Sequence, residues 1–532
     1  MMARFDASIV AVAIAALLGC GPSPRPADVV VYASGTDLES ANPLVTIHPL
    51  SRQVQRHVLF VTLFRYDSVL VPQPYYARAW TWSADRRSLS MSLEPTLHWH
   101  DGTPTTAHDV AYTVLTARDS RTGFARATDF ASVDTVIALS DTTLVVRFKI
   151  LQRDLPSIFA ELPIVPAHRL RSVAPADMRR AAFSMEPVGN GPFRFVDRRA
   201  GQRWRFERNA RFPASMGGAP RIRELVVAVV DEPTTKFAGL AAGDLDFAGI
   251  APTMAALAER DPAIEVMDYP VLFSNALVFN VHRAPFDDVR VRRAVDLSID
   301  RKRLIEAALA GFGTPASGPV PPENPLALRA PIARDAARAD SLLDAAGWKR
   351  GRDGWRARER AFSVELLTVG SGDNAVEQLI QADLAERGIR LEIRQLELAA
   401  FLTRARAKPK AFDLLVTGVP GDLSLAYLRA MFESGQRGSS LDYADFHSRT
   451  LDTLFAKAQG ALSEAGLRNA WREIQAELAR QAPVAWLYHS RGLQGVSSRM
   501  RNVRMDLRGE LVTVARWTTG DFPVSSNPVA GR

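Results

Sequence analysis

The stretch that decides the fold runs from Leu97 to Leu115 and reads L-H-W-H-D-G-T-P-T-T-A-H-D-V-A-Y-T-V-L. Its first half suits a strand end followed by a tight turn, because Asp101-Gly102 supplies the pair such turns need. Its second half has the marks of a helix start. Thr106 and Asp109 stand at capping-box spacing, where a hydroxyl and a carboxylate satisfy free N–H groups of the first turn. Val110 and Val114, flanked by Ala111 and Leu115, then repeat at helical period. By itself this strand-turn-helix carries no function.

The literal string W-x-D-G-x-P-x-T-A-x-D-V, from Trp99 to Val110, resembles the signature segment of the extracytoplasmic solute-binding proteins, family 5, of peptide-type ABC importers. A second specific segment, P-F-D-D-V-R-V-R-R-A-V-D-L-S-I-D-R from Pro285 to Arg301, resembles another of the family's motifs. Asp287 or Asp288 can cap its helix, and Asp300 a second one. Weaker matches follow in family order: L-E-S-A-N-P-L-V-T at 38–46, Pro166 to His168, Val188 to Phe193 with its Gly-Asn-Gly, Ala337 to Trp348, and Pro483 to His489. The glycines near 190 are expected to allow positive φ.

This resemblance, over residues 28 to 518, implies an α/β chain with a periplasmic-binding-protein-like type II fold: two lobes around a ligand cleft plus an extra inserted domain. Domain I would be discontinuous (28–46, 187–275 and 490–518), domain II would span 47–186 with the signature, and domain III 276–489. A tail at 519–532 would be flexible. The implied partners are a peptide or other small solute and the transmembrane subunits of an ABC permease, with the protein itself a monomer and no cofactor.

Composition agrees with that class. A chain of 532 residues is too long for one core. The net charge of +8 is carried mostly by arginines that alternate with acids, as in R-D-A-A-R-A-D from Arg334 to Asp340. That pattern describes a solvated surface rather than a nucleic-acid groove, and the aromatic-basic interleaving of single-strand binders is absent.

The single cysteine, Cys20, ends the apolar run from Ile9 to Gly19, which is too short to span a bilayer but suits a signal peptide. Leu17-Leu18-Gly19-Cys20 resembles a bacterial lipobox. The resemblance implies cleavage of residues 1–19, lipidation of Cys20, a tether over 20–27, and attachment to the extracytoplasmic face of a bacterial membrane. An ordinary secretory signal with a chance cysteine is the plainer alternative.

Enzyme motifs of the P-loop, zincin and nucleophile-elbow types were not found. His98, His100 and His108 are the one histidine cluster; they could bind a metal or simply serve the surface.

In α/β sheets ligands gather beyond the carboxyl ends of strands. Three such ends stand out: Ser34-Gly35-Thr36, Gly370-Ser371-Gly372-Asp373, and Thr417-Gly418-Val419-Pro420-Gly421-Asp422. The last resembles the family's G-W-x-x-D loop, which implies that Asp422 meets a ligand's ammonium group. Capping the helix that begins near Leu425 is its alternative role. Val419 stands where the family usually has tryptophan, which removes an aromatic wall and opens the ligand class to non-peptide solutes. Three function classes therefore stand: an importer receptor for peptides or amines, a receptor of the same fold for a metal chelate or a sensor, and a hydrolase on a binding fold.

Overall fold

In the computed structural model of the chain, residues 25–46, 48–330, 334–369, 374–461 and 463–520 are described. The expected signal peptide, Cys20 and Ser371 lie outside them. An 11-stranded mixed sheet runs through the molecule. Its strands are β1 (Val29–Ser34), β2 (Phe193–Arg199), β3 (Arg203–Arg208), β4 (Glu224–Val229), β5 (Phe247–Gly249), β6 (Ile264–Phe279), β7 (Gly313–Pro315), β8 (Ser363–Val369), β9 (Arg390–Leu396), β10 (Leu414–Pro420) and β11 (Val484–Ser497). The order is β9-β8-β10-β6-β11-β5-β1-β4-β3-β2, with β7 added on β11. Strand β1 runs parallel to β4 and β5, and β8 parallel to β9 and β10, as α/β crossovers require.

Two long strands join the halves of this sheet. Strands β6 and β11 pair antiparallel from Ile264–Ser497 to Pro270–Arg491, and again from Ser274–His489 to Val278–Val484. Between Pro270 and Ser274 the register shifts. Proline lacks the N–H a ladder needs, so pairing is interrupted where the chain passes from one half to the other. The halves have separate cores. One packs Val30, Phe206 and Leu225 against Trp99 and Val110. The other buries both sheet faces, with Leu415 and Val419 on one side and Leu414 and Val416 on the other. This alternation is the period-2 pattern of a strand covered on both faces.

The signature folds as its spacing predicts. Thr106 and Asp109 form a capping box on the helix Ala107–Arg118. Val110 and Val114 are buried, whereas Leu115 faces solvent. Beside the helix lies a four-stranded antiparallel sheet of 77–82, 88–93, 143–148 and 133–140. Asp288 and Asp300 both cap their helices.

Three local expectations need correction. The glycines of the Gly-Asn-Gly turn do not adopt positive φ. Their role is close approach: a Cβ on Gly189 would stand 2.0 Å from the Leu59 carbonyl oxygen, and one on Gly191 2.6 Å from the Leu59 carbonyl carbon. Residues 25–27 do not behave as a free tether, because Arg25 forms an ion pair with buried Asp246 at 2.9 Å. At the other end Thr519 is buried and belongs to a short strand paired with Met500–Arg501, so 519 and 520 are not a loose tail.

Candidate functional site

Asp422 lies just beyond the carboxyl end of β10. Its Oδ1 accepts hydrogen bonds from Ser424 Oγ (2.6 Å) and Ala426 N (3.0 Å), and its Oδ2 from Tyr427 N (3.0 Å). It therefore caps the helix Ala426–Phe432. A carboxylate has about four acceptor positions, so three bonds leave capacity for one further donor. Gly421 ties this loop to β6 by donating to the Leu272 carbonyl at 2.8 Å.

Of its neighbours, Val419 is enclosed in the core and does not line an opening. Thr417 is half-buried, on the face it shares with Val419. Gly418 lies under the ring of Phe273, whose Cζ would be 2.1 Å from a Cβ placed there. Phe273 itself is 39 % exposed.

Ser34 and Thr36 close a turn at the end of β1: Ser34 Oγ donates to the Thr36 carbonyl and accepts from Thr36 N. Thr36 Oγ1 is 3.0 Å from His48 Nε2, and His48 caps the helix Pro49–Val54. Gly35 faces the amine of Lys236, 3.3 Å from where its Cβ would be. The structure thus joins the Ser34–Thr36 turn to the helix of Arg52, not directly to the Asp422 loop.

The sequence reading missed the group that faces Asp422. Arg52 and Arg56, one turn apart, Arg126 and Glu161 converge on one spot. Glu161 Oε2 accepts from Arg126 Nη1 and lies 3.5 Å from Arg52 Nη2 and 3.9 Å from Arg56 Nη2. Asp129 pairs with Arg126 at 2.6 Å. Burial pushes the Glu161 carboxyl up, but Arg126, Arg56 and Arg52 together outweigh it and hold the group below its ordinary range. Burial lowers Arg56 to about 10, with Glu161 opposing. Asp129 is raised, mainly by burial. Asp422, carried on the other half of the sheet, is near enough to act electrostatically on Arg52, Arg126 and Asp129. Glu161 Oε1 is buried without a hydrogen-bond partner. Isolated arginines scattered through an Arg-rich chain give no signal of such convergence, so spacing could not have found it.

The signature holds these side chains from a distance. Asp109 Oδ1 accepts from Ala167 N at 2.9 Å, and Thr113 Oγ1 from Val165 N at 3.0 Å, which fixes the segment directly after Glu161. His100 donates from its backbone to the Gly189 carbonyl (2.7 Å) and from Nε2 to the Gly191 carbonyl (3.0 Å). Asn190 and Gly191 donate in turn to Leu59 O, which closes the π-helical turn Gln55–Leu59 carrying Arg56. Short π segments recur where a helix must aim side chains at a site.

A cavity of about 80 Å³ opens beside Arg52, Gln55, Arg126 and Glu161. A second, of about 50 Å³, lies within the other half beneath Trp486. There Arg301 is already bound to Asp296 and the Trp486 carbonyl, so the first is the candidate site.

His98, His100 and His108 are not brought together. His98 donates to Thr96 O, His100 to Gly191 O, and His108 is exposed 3.9 Å from Asp141. Among the described residues no helix is long and apolar enough to cross a membrane.

Comparison with known proteins adds the following. The family model for bacterial extracellular solute-binding proteins, family 5 Middle, matches residues 71–439. Protein XP55 of Streptomyces lividans is 27 % identical, over 81 % of this chain and 78 % of its own. The glutathione-binding protein GsiB of Pectobacterium atrosepticum is 24 % identical, over 90 % of this chain and 91 % of its own. The oligopeptide-binding protein AppA of Bacillus subtilis, solved in complex with a nonapeptide, superposes with a TM-score of 0.78 at 22 % identity, covering 92 % of this chain and 98 % of that one. At that identity the likeness concerns the fold.

Proposed function

This chain belongs to the bacterial extracellular solute-binding proteins of family 5, and from that premise we propose that it captures a peptide between its two lobes and delivers it to the transmembrane subunits of an ABC permease. One observation carries the choice of peptide. The cleft sets charges of both signs against each other from opposite lobes, Asp422 on one side and Arg52, Arg126 and Glu161 on the other. A peptide is a zwitterion: its α-ammonium suits the remaining acceptor position of Asp422 or the unpartnered Glu161 Oε1, and its carboxylate suits an arginine fork. A glutathione-binding protein among its relatives supports the same class.

In this reading residues 270–275 of β6 and 489–491 of β11 form the hinge, and the lobes follow the division 28–46, 187–275 and 490–518 against 276–489, with 47–186 inserted in the first. Closure needs only a ligand that binds the closed state more tightly than the open one. No bond is made or broken. The mature protein begins at a lipidated Cys20 and works as a monomer at the extracytoplasmic face of the membrane.

The test is native mass spectrometry on protein expressed from Ser23 and purified without refolding. Peptide-sized, heterogeneous adducts released on denaturation are expected. A single sharp non-peptide mass would replace the peptide with another solute. For the residue assignment, Asp422→Asn should weaken the binding of the recovered ligand; unchanged affinity would remove Asp422 from the site.

A further inference from the structure

A second cluster of ligating side chains lies far from the cleft, in the loop that follows the helix Ala426–Phe432. The run D-Y-A-D-F-H places Asp442, Asp445 and His447 within six residues. One atom from each, taken together, lie within 4.8 Å of one another. His447 Nε2 stands 3.3 Å from Asp442 Oδ1 and 3.7 Å from Asp445 Oδ1.

Asp442 and His447 have buried side chains, Asp445 is partly exposed, and each presents an atom that makes no hydrogen bond. The side chains of His447 and Asp442 are 2 % and 0 % exposed. Neither ring nitrogen of His447 makes a hydrogen bond, nor does Asp442 Oδ1 or Asp445 Oδ1. Their other oxygens are occupied: Asp442 Oδ2 accepts from Gly438 N at 2.7 Å, and Asp445 Oδ2 lies 3.4 Å from His282 Nε2. The nearby cations are turned largely to other partners. Lys410 Nζ donates to the carbonyls of Asp442 (2.6 Å) and Ala405 (3.2 Å), and Arg437 Nε is 3.6 Å from Asp445 Oδ1. Buried polar atoms are almost always satisfied. Three orphaned atoms, Asp442 Oδ1, Asp445 Oδ1 and His447 Nε2, lie within 4.8 Å of one another and therefore call for a shared partner.

We propose that Asp442 Oδ1, Asp445 Oδ1 and His447 Nε2 bind a borderline divalent transition cation of the Zn²⁺ class, with water completing the shell on the side of Asp445, which is 27 % exposed. Bonds of about 2.0–2.1 Å in tetrahedral array put ligand atoms roughly 3.3 Å apart, close to the 3.3 and 3.7 Å that separate His447 Nε2 from the two carboxylate oxygens. One imidazole with two carboxylates suits Zn²⁺ better than Ca²⁺ or Mg²⁺, which take oxygen shells of six or more.

The site does not belong to the solute cleft. Lys410 precedes β10 and Asp422 follows it, and a seven-residue strand spans about 23 Å. The cation clamps the loop onto the Lys410 segment and onto His282, whose Nε2 is 2.9 Å from the Asp445 carbonyl oxygen.

The experiment is Zn²⁺ titration of the purified full chain after chelator stripping, against His447→Ala and Asp445→Asn. One Zn²⁺ per chain is expected in the parent. Its affinity should fall in each variant by more than the roughly 10- to 100-fold that outer-sphere partners carry. Because His447→Ala can misfold, Co²⁺ is titrated into the parent as a second measurement. An intense visible band of a four-coordinate site, saturating at one equivalent and lost in Asp445→Asn, supports the assignment. No uptake by the parent would overturn it. Binding equal in parent and variants would overturn it too, as would a preference for Ca²⁺.

Discussion

Trp99 donates its indole N–H to Asp109 Oδ2 at 3.2 Å, so the two ends of the signature segment are joined through one buried carboxylate. The same oxygen accepts from Thr106 N at 2.9 Å, while Oδ1 accepts from Ala167 N at 2.9 Å. Asp109→Ala would leave these donors without an acceptor, at about 1–3 kcal/mol for each one left buried. We expect a loss of about 3 kcal/mol or more, measured by urea denaturation. Solute affinity should fall with it, because Ala167 fixes the segment that follows Glu161.

The turn at 189–191 gives a sharper steric test. Gly189→Ala must push a methyl group into the Leu59 carbonyl oxygen, 2.0 Å away, with the His100 ring 3.0 Å away as well. Gly249→Ala on β5 meets nothing within 4 Å. The first should be strongly destabilised and the second should melt near the parent. Equal melting temperatures would show that Leu59 can retreat.

Glu161→Gln keeps the shape of the cleft but removes its central anion. Arg52, Arg56 and Arg126 would then crowd one spot, with Asp129 paired to Arg126 alone. Breaking a buried ion pair from one side typically costs about 3–5 kcal/mol. Equilibrium denaturation should register a loss of that order at neutral pH.

Three histidines, His489 buried and His57 and His100 half-buried, predict acid sensitivity. Burial lowers His57 from 6.5 to about 3, and His100 and His489 to about 4. Below pH 6.5 the unfolded chain takes up protons that the native state refuses. Their contribution is thus whole above pH 6.5 and declines as pH falls through about 4, roughly 3 kcal/mol for a histidine lowered to about 4. His489, which shares a hydrogen bond with Ser274 across β6 and β11, is the variant to use. His489→Gln should flatten the decline in stability between pH 7 and pH 4.5. A slope equal to the parent's would exclude His489 as a contributor.

Phe273 stands over Gly418 in the expected ligand strand, at the bent part of β6. With Val419 enclosed in the core, Phe273 is the aromatic surface presented beside this loop. If it forms a wall of the cleft, Phe273→Ala should weaken the recovered solute by about tenfold, close to 1.4 kcal/mol, in titration calorimetry with little change in melting temperature. A large drop in melting temperature with unchanged affinity would make Phe273 a hinge-packing residue.

The local elements were legible because local rules made them. The capping box of Thr106 and Asp109 and the caps Asp288 and Asp300 depend on neighbours within a few residues. The order of the motif matches carried the family and with it the two-lobed α/β plan. What the glycines at 189 and 191 do depends on Leu59, more than a hundred residues away, so spacing gave the wrong reason for them. Val419 reads as a cleft residue by position, yet the side of β10 on which it falls is decided by the helices packed there. Arg52, Arg56, Arg126 and Glu161 share no motif; long-range folding alone makes them one charge cluster facing Asp422. The sequence by itself determined the local elements, because periodicity and capping act over a few residues, and its resemblance to the family carried the two-lobed plan. Only the tertiary structure decided which charges meet in the cleft, because a strong electrostatic contact requires nearness in space and exclusion of water, and neither is written in spacing.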